Sequence, residues 1–271
     1  WRGGSGLLKR STKVAIGAAA LVLGTALVAT RPAARQQAEE LHGARVQLAA
    51  VTPSAGHDID YAQLDRRLQQ LMERPTMVGL AVGVVENGRI TFLKGYGETL
   101  AGSGEPVTPE TVFRWASVST GVASTMVAKL AEEGKVDLHA PVARYSRTLK
   151  LPDGAEQRAT VGDVLSHRVG LYRNAYDNKL EEGQDTRFLR RTLAHLNLIC
   201  PPGTCWSYQN VAYDGAAELV EKLTGEPYER AVRHMLFAPI GMSSASISRD
   251  GLVSARSWAR PHDGARRPLE V

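Results

Sequence analysis

Residues 111–130 read TVFRWASVSTGVASTMVAKL, and how this stretch is read decides the fold. Its first part, Val112-Phe113-Arg114-Trp115, is apolar and β-prone. Its second part carries Val118, Val122, Met126 and Leu130 every four residues, with Val127 beside them, which is the spacing of one buried helical face. The pattern predicts a helix that begins at or just after Ser117. A hydroxyl there lies among unpaired backbone N–H groups at the positive end of the helix dipole, where developing negative charge is favoured. Two readings fit this position. One is an N-cap, the ordinary use of a serine before an apolar helix; the other is a nucleophile. The stretch alone leaves both open.

Outward from it, residues 78–97, VGLAVGVVENGRITFLKGYG, hold two β-rich runs joined at Asn87-Gly88. That dipeptide suits the type I′ turn of a two-residue hairpin, where both residues need positive φ. An antiparallel hairpin this early argues against a doubly wound parallel sheet. Before it, Asp60 to Met72 carries Tyr61, Leu64, Leu68 and Leu71 at helical spacing. After the Ser117 helix, which Gly134 closes, comes a proline-containing connection over 137–145. Thr160 caps a predicted helix over 161–167 that Gly170 stops. Further helices are predicted over 186–196, over 211–223 with Gly225 ending it, and over 228–237. Residues 252–271 show no periodicity. The order of elements implies an α+β fold, an antiparallel sheet flanked by helices with a helical insertion domain.

The chain has 271 residues and a net charge of +5. Six of its basic residues and no acidic ones fall in residues 1–35, which leaves 27 basic and 28 acidic side chains in the rest. The basicity therefore belongs to the N-terminal segment, and no basic patch with interleaved aromatics points to nucleic acid. Val14 to Thr30 is free of charge, and Lys9, Arg10 and Lys13 precede it. This is the layout of a signal anchor or of a cleaved signal peptide, and either places the remainder outside the cytoplasm. Residues 1–35 are thus expected to be that segment, 36–56 a linker and 57–271 the folded domain.

Cys200 and Cys205 bracket Pro201-Pro202-Gly203-Thr204. A disulfide is geometrically possible across so short a loop, and export favours oxidation; two free thiols are the alternative. A zinc site lacks further ligands, and no metal is expected.

Four motifs then occur in order: Phe113-x-x-x-Ser117-Val118-Ser119, Leu165-Ser166-His167-Arg168-x-Gly170-Leu171, Pro202-Gly203-Thr204, and Tyr208-Gln209-Asn210. Together they resemble the serine hydrolase superfamily of class C β-lactamases, penicillin-binding DD-peptidases and related esterases, from about residue 58 onward. The resemblance implies a β-lactamase/transpeptidase-like fold and acyl transfer through a serine ester. Ser117 would be the nucleophile, Tyr208 the general base or acid, and Asn210 an amide that orients substrate. No cofactor is implied. The partners would be a small-molecule, peptide or ester substrate, and the membrane through the N-terminal anchor, in a bacterial cell envelope. His167 matches a position that looks structural.

Two departures from the family pattern stand out. The Ser-x-x-Lys lysine, one helical turn after the nucleophile, is replaced by Thr120, which has no charge and cannot act as a base at neutral pH. Lys129 lies three turns on, about 18 Å along the axis, too far to substitute. A Lys- or His-x-Gly on a strand should complete the oxyanion hole. The nearest candidate, His262-Asp263-Gly264, follows Pro261 in a polar tail and reads as loop. The domain is therefore expected to be incomplete at its C-terminus.

Overall fold

The computed structural model describes residues 59–271. The anchor or signal segment, and all of the linker, lie outside the described residues. Among the described residues no helix is long and apolar enough to cross a membrane.

Helix α1 (Tyr61–Met72) starts at Asp60, whose carboxylate accepts the Gln63 N–H. It packs against the hairpin of β1 (Gly79–Glu86) and β2 (Arg89–Gly97). The strands pair antiparallel, with Glu86 opposite Arg89 and an irregularity between Val84 and Val85. Asn87 (φ 52°) and Gly88 (φ 74°) both sit in the left-handed region, as a type I′ turn requires. Three contacts fasten α1 to the sheet. Tyr61 stacks on Phe92 at 5.7 Å, Asp65 pairs with Lys94 at 2.7 Å, and the Tyr96 hydroxyl donates to Asp65 at 2.5 Å. Those bonds hold the Asp65 carboxyl below its ordinary pKa.

The stretch that opened the sequence reading divides differently from expectation. Val112 makes a single parallel bridge with Trp258 instead of joining a strand. A 3₁₀ turn spans Ala116–Val118, and helix α2 runs Ser119–Glu132. Val122, Met126, Val127 and Leu130 are buried as the four-residue period predicts, but Val118 is 65% exposed. The reason is geometric: a 3₁₀ turn advances three residues per turn rather than 3.6, so Val118 is rotated off the stripe that α2 buries. The serine does not act as a cap either. The caps of the turn and of α2 are Trp115 and Val118, and neither makes a side-chain capping bond.

Most of the predicted helices form with shifted ends. Helix α3 (Val161–Leu165) has a capping box between Thr160 and Asp163 and ends before His167, which adopts φ 59°. Two short helices follow, α4 (Asp177–Glu181) and α5 (Thr186–Thr192), the second capped by Asp185 and continued by a 3₁₀ turn over Leu193–His195. Helix α6 (Gly215–Thr224) begins four residues later than predicted and ends at Gly225. Helix α7 (Tyr228–Val232) continues as a π turn, Arg233–Phe237. Helix α8 (Arg249–Val253) and the turn of α4 were not anticipated.

Two buried clusters organise these helices. In the first, Val122, Met126, Val127 and Leu130 of α2 meet Leu219 and Val220 of α6 and Val232 and Phe237 beyond. Each such side chain contributes about 1.5–3 kcal/mol by leaving water. The second gathers Leu149, Leu151, Val169, Leu171, Leu189, Leu193 and Val211. Residues 257–262 run back beside the region after the hairpin: Ala259 N donates to Val112 O, and Arg260 N to Thr99 O. His262-Asp263-Gly264 falls in a turn, and the His262 Nε2 accepts the Ala101 N–H at 3.2 Å. It does not line the cleft described next.

Candidate active site

The α2 N-terminus opens onto a cleft of ≈ 1040 Å³. Ser117, Thr120 and Asn210 line it, together with Tyr213, Asp214 and Tyr228. Ser117 is exposed, and its Oγ makes no hydrogen bond among the described residues. Ala116, immediately before it, has φ 44°, an unfavourable conformation for a residue with a Cβ. Trp115 behind it is anchored against Phe237 at 5.7 Å. This strained link, held by an aromatic contact, presents Ser117 on the solvent side of the turn.

Thr120 sits one helical turn beyond. Its Oγ1 donates to Ser117 O at 2.8 Å, so the hydroxyl is turned back onto the helix backbone. The same helical segment is gripped from the other side, where the Tyr213 hydroxyl donates to Thr120 O at 2.8 Å. Lys129 is engaged by Glu133 at 3.3 Å and is not part of the cleft.

Tyr208-Gln209-Asn210 reaches the cleft with only one of its three side chains. Asn210 lines it and donates through Nδ2 to Asp177 Oδ2 at 2.7 Å. Gln209 is buried and donates through Nε2 to Leu171 O and Tyr172 O. Tyr208 does not appear in the cleft wall; its hydroxyl is buried with no hydrogen-bond partner. Asp177 Oδ1 and Gln209 Oε1 are orphaned in the same way.

His167 holds this segment in place. Its ring lies 4.5 Å from that of Tyr208 and 4.9 Å from that of Tyr213. Its Nδ1 accepts the Gln209 N–H at 3.2 Å, and its carbonyl accepts the Ser207 N–H at 2.9 Å. Burial holds its pKa below the usual histidine range. The sequence reading gave His167 a packing role; the contact with both tyrosines places that packing directly under the candidate site.

Two of the cleft tyrosines are unsuited to proton abstraction. Burial pushes the Tyr213 phenol above its ordinary value and that of Tyr228 up to about 12. Both are donors at neutral pH. Among the described residues that line the cleft there is no lysine and no histidine.

Cys200 and Cys205 are joined by a disulfide, with Cα atoms 6.3 Å apart. Their loop is tied to the His167 segment by Gly203 N donating to Arg168 O at 2.7 Å and Ile199 N donating to Gly170 O at 2.9 Å. Gly170 adopts φ 86°, and a Cβ there would run into the Cys200 carbonyl. The disulfide loop thus leads directly into Tyr208-Gln209-Asn210.

Sequence reasoning missed four residues here. Tyr213 and Asp177 bond to Thr120 and Asn210, while Asp214 lines the cleft and pairs with the buried Arg190. Tyr213 carried a usable signal, since it follows Asn210 by three residues on the approach to α6. The other three depend on contacts between distant segments.

Comparison with known proteins places this arrangement. Esterase EstB of Burkholderia gladioli is 31% identical over 228 residues, covering 78% of this chain and 57% of the esterase. Penicillin-binding protein 4 of Amycolatopsis lactamdurans is 31% identical over 187 residues, covering 68% and 48%. The chain therefore spans about half the length of the curated relatives it matches. Among solved structures, the octameric penicillin-binding protein homologue from Pyrococcus abyssi superposes with a TM-score of 0.69 at 22% identity, covering 78% of this chain and 50% of that one. A class C β-lactamase gives 0.65 at 24%, covering 80% and 60%. These likenesses bear out the α+β, β-lactamase/transpeptidase-like fold. The sequence profile of the β-lactamase family matches residues 64–271, and this chain belongs to that family.

Proposed function

We propose that this chain carries the nucleophile of a serine hydrolase of the β-lactamase, DD-peptidase or esterase type, acting through an acyl-enzyme on Ser117. The observation that carries the reading is the unbonded Ser117 Oγ at the mouth of a cleft that Asn210 also lines. Ser117 attacks the acyl carbonyl, the α2 N-terminus favours the charge that develops, and Asn210, fixed by Asp177, offers its amide oxygen to the substrate. Tyr208 occupies the family's general base or acid position, but its hydroxyl is buried without a partner outside the cleft wall, so for it to take the Ser117 proton its side chain has to move. The chain's relatives, named an esterase, a penicillin-binding protein and a β-lactamase, support an ester or amide substrate. The charged-then-apolar pattern of residues 1–35 and the disulfide support a place in a bacterial cell envelope, anchored or secreted.

A second reading is favoured by one specific observation, the Thr120 hydroxyl turned back onto Ser117 O. With no charge at that position, turnover falls and the chain acts as a binding relative for peptidoglycan-like ligands. Hydrolysis of a p-nitrophenyl ester, a chromogenic cephalosporin and a D-Ala-D-Ala peptide, measured beside Ser117→Ala, separates the two. Hydrolysis of any of them that disappears in Ser117→Ala supports the enzyme. Saturable binding with equal, background hydrolysis in both proteins supports the binding relative.

A further inference from the structure

The charged side chains of the cleft wall are Glu110, Arg114, Glu181, Asp214 and Arg249, and some of them are already engaged. Asp214 pairs with the buried Arg190. Arg249 donates through Nε to Val271 O at 2.7 Å and lies 3.9 Å from Asp250. Glu110 and Glu181 stand without an ion pair among the described residues, so neither neutralises a cation of the wall. Arg114 is then the one cationic side chain of the wall that makes neither a hydrogen bond nor an ion pair among the described residues.

Its neighbours fix its place. Trp115 is anchored against Phe237, and Arg114 and Ala116 on either side of it are exposed. Val112 is tied to the 257–259 segment, its N donating to Ser257 O at 3.0 Å and its O accepting from Ala259 N at 2.9 Å. The backbone that carries Arg114 is therefore held on both sides before any ligand arrives. Three residues separate Arg114 from Ser117, at most about 11 Å of chain. A small molecule whose acyl carbon meets Ser117 Oγ thus has its far end within reach of the guanidinium. That group stays charged at any working pH and presents paired N–H donors in the fork that fits a carboxylate.

We propose that Arg114 is a specificity-determining residue of the Ser117 site: it binds a carboxylate of the substrate and selects anionic esters or amides over neutral ones. The inference rests on the reading of Ser117 as the nucleophile. Arg114 makes and breaks no bond; it holds one end of the substrate while Ser117 meets the carbonyl. The carboxylate belongs either to the acyl part or to the leaving group, and both present the same chemistry to the guanidinium. Magnitude decides whether the selection is visible. An ion pair in open water changes a rate ratio by less than about fivefold, whereas hydrogen bonds to a charged partner shielded from water change it by about tenfold or more. Phe113 and Trp115, on the two sides of Arg114, both line the cleft, and a ligand packed on them shields the pair.

The test compares kcat/KM for matched carboxylate and neutral esters in wild type, Arg114→Gln, Arg114→Lys and Arg114→Glu, with Ser117→Ala as background. One pair carries the carboxylate on the acyl part, mono-4-nitrophenyl terephthalate against its methyl ester. The other carries it on the leaving group, 4-acetoxybenzoate against methyl 4-acetoxybenzoate. The readout is the carboxylate-to-neutral ratio, so a loss common to both esters, as from impaired folding, cancels. In one pair Arg114→Gln should lower the ratio by about tenfold, and which pair responds identifies the part that bears the carboxylate. Arg114→Glu should lower it further, and Arg114→Lys should keep part of it, since the charge remains and the fork is lost. Ratios in Arg114→Gln within about fivefold of wild type in both pairs overturn the proposal and leave Ser117 as nucleophile. Absence of Ser117-dependent turnover with every ester overturns the serine hydrolase reading instead, and binding then decides for Arg114. Calorimetric titration of 4-acetoxybenzoate and of mono-4-nitrophenyl terephthalate into Ser117→Ala and into Ser117→Ala with Arg114→Gln measures it. About tenfold weaker binding of either ester in the double variant upholds the carboxylate site; equal binding of both, or no binding of either to Ser117→Ala, overturns it.

Discussion

Replacing Glu218 by alanine probes the scaffold behind the cleft. Glu218 lies on α6, its side chain 18% exposed. It accepts from the Ser146 hydroxyl, from Thr148 Oγ1 at 2.7 Å and from the Arg147 N–H at 3.0 Å. Its carboxylate lies 3.8 Å from the Nε of Arg190, whose side chain is only 4% exposed and also pairs with Asp214 in the cleft wall. Burial opposes ionisation of Glu218, but the Ser146, Thr148 and Arg147 bonds and the Arg190 charge outweigh it, so its carboxyl is held below the ordinary value. Alanine removes half of the buried countercharge of Arg190 and strips several donors of their acceptor. Breaking a buried pair of this kind costs about 3–5 kcal/mol. At about 2–4 °C per kcal/mol for a domain of this size, the melting temperature should fall by roughly 6–20 °C. Urea unfolding followed by tryptophan fluorescence, in wild type, Glu218→Ala, Arg190→Met and the double variant, measures it. The double variant should be less destabilised than the sum by more than about 1 kcal/mol, since the two groups interact. A loss below about 1 kcal/mol for Glu218→Ala, or strict additivity, would refute the account of a buried, coupled network. The pH dependence has a definite sign. A depressed folded-state pKa stabilises above the unfolded value of 4.5 and is lost as pH falls through the folded value. Wild type should therefore lose stability more steeply than Glu218→Ala as pH falls from 4.5 toward the folded value.

Other perturbations address the loop that carries Tyr208 to Asn210. Gly170→Ala forces φ 86° on a residue with a Cβ and drives it into the Cys200 carbonyl; its urea midpoint should drop by the equivalent of more than about 1 kcal/mol. Reducing the Cys200–Cys205 bond, or replacing both residues by serine, should lower stability by about 2 kcal/mol on loop closure alone, read as a shift in melting temperature with and without reductant. His167, kept neutral by burial, should destabilise the fold as pH drops from its unfolded value of 6.5 toward the depressed folded value. The slope of urea midpoint against pH between about 7 and 5 should be shallower in His167→Gln.

Elements set by local chemistry were legible in the sequence. The hairpin followed from Asn87-Gly88 between alternating β-formers, and α1 and α2 from four-residue apolar spacing. Val118 was misassigned because the periodic count assumes an α-helix from the first residue, whereas the chain enters α2 through a 3₁₀ turn. The helix over 211–223 begins late for a related reason: Val211 to Tyr213 serve the clusters and Thr120 before the chain turns helical at Gly215. Of the candidate site, the chain positions of Ser117, Thr120 and Asn210 were readable from ordered motifs, and the structure brings all three to one cleft. The partners that fix them were not readable. Asp177 meets Asn210 across 33 positions and Tyr213 meets Thr120 across 93, and nothing local announces such pairs. Tyr208 shows the limit from the other side. Its motif implied a place in the cleft, while the structure buries its hydroxyl behind Asn210 beside His167.

The central claim is that Ser117 is the acyl-accepting atom, and one measurement addresses it directly. The protein is incubated with a reactive penicillin or a fluorophosphonate, digested with trypsin, and the peptide Trp115–Lys129 is sequenced by mass spectrometry. That peptide also holds Ser119 and Ser124, so fragmentation discriminates among neighbours that share the same helix. The account predicts an adduct on Ser117, absent from Ser117→Ala and more abundant in Thr120→Lys. An adduct on Ser119 or Ser124, or none on the shorter peptide, cut after position 120, that trypsin releases from Thr120→Lys, would contradict it.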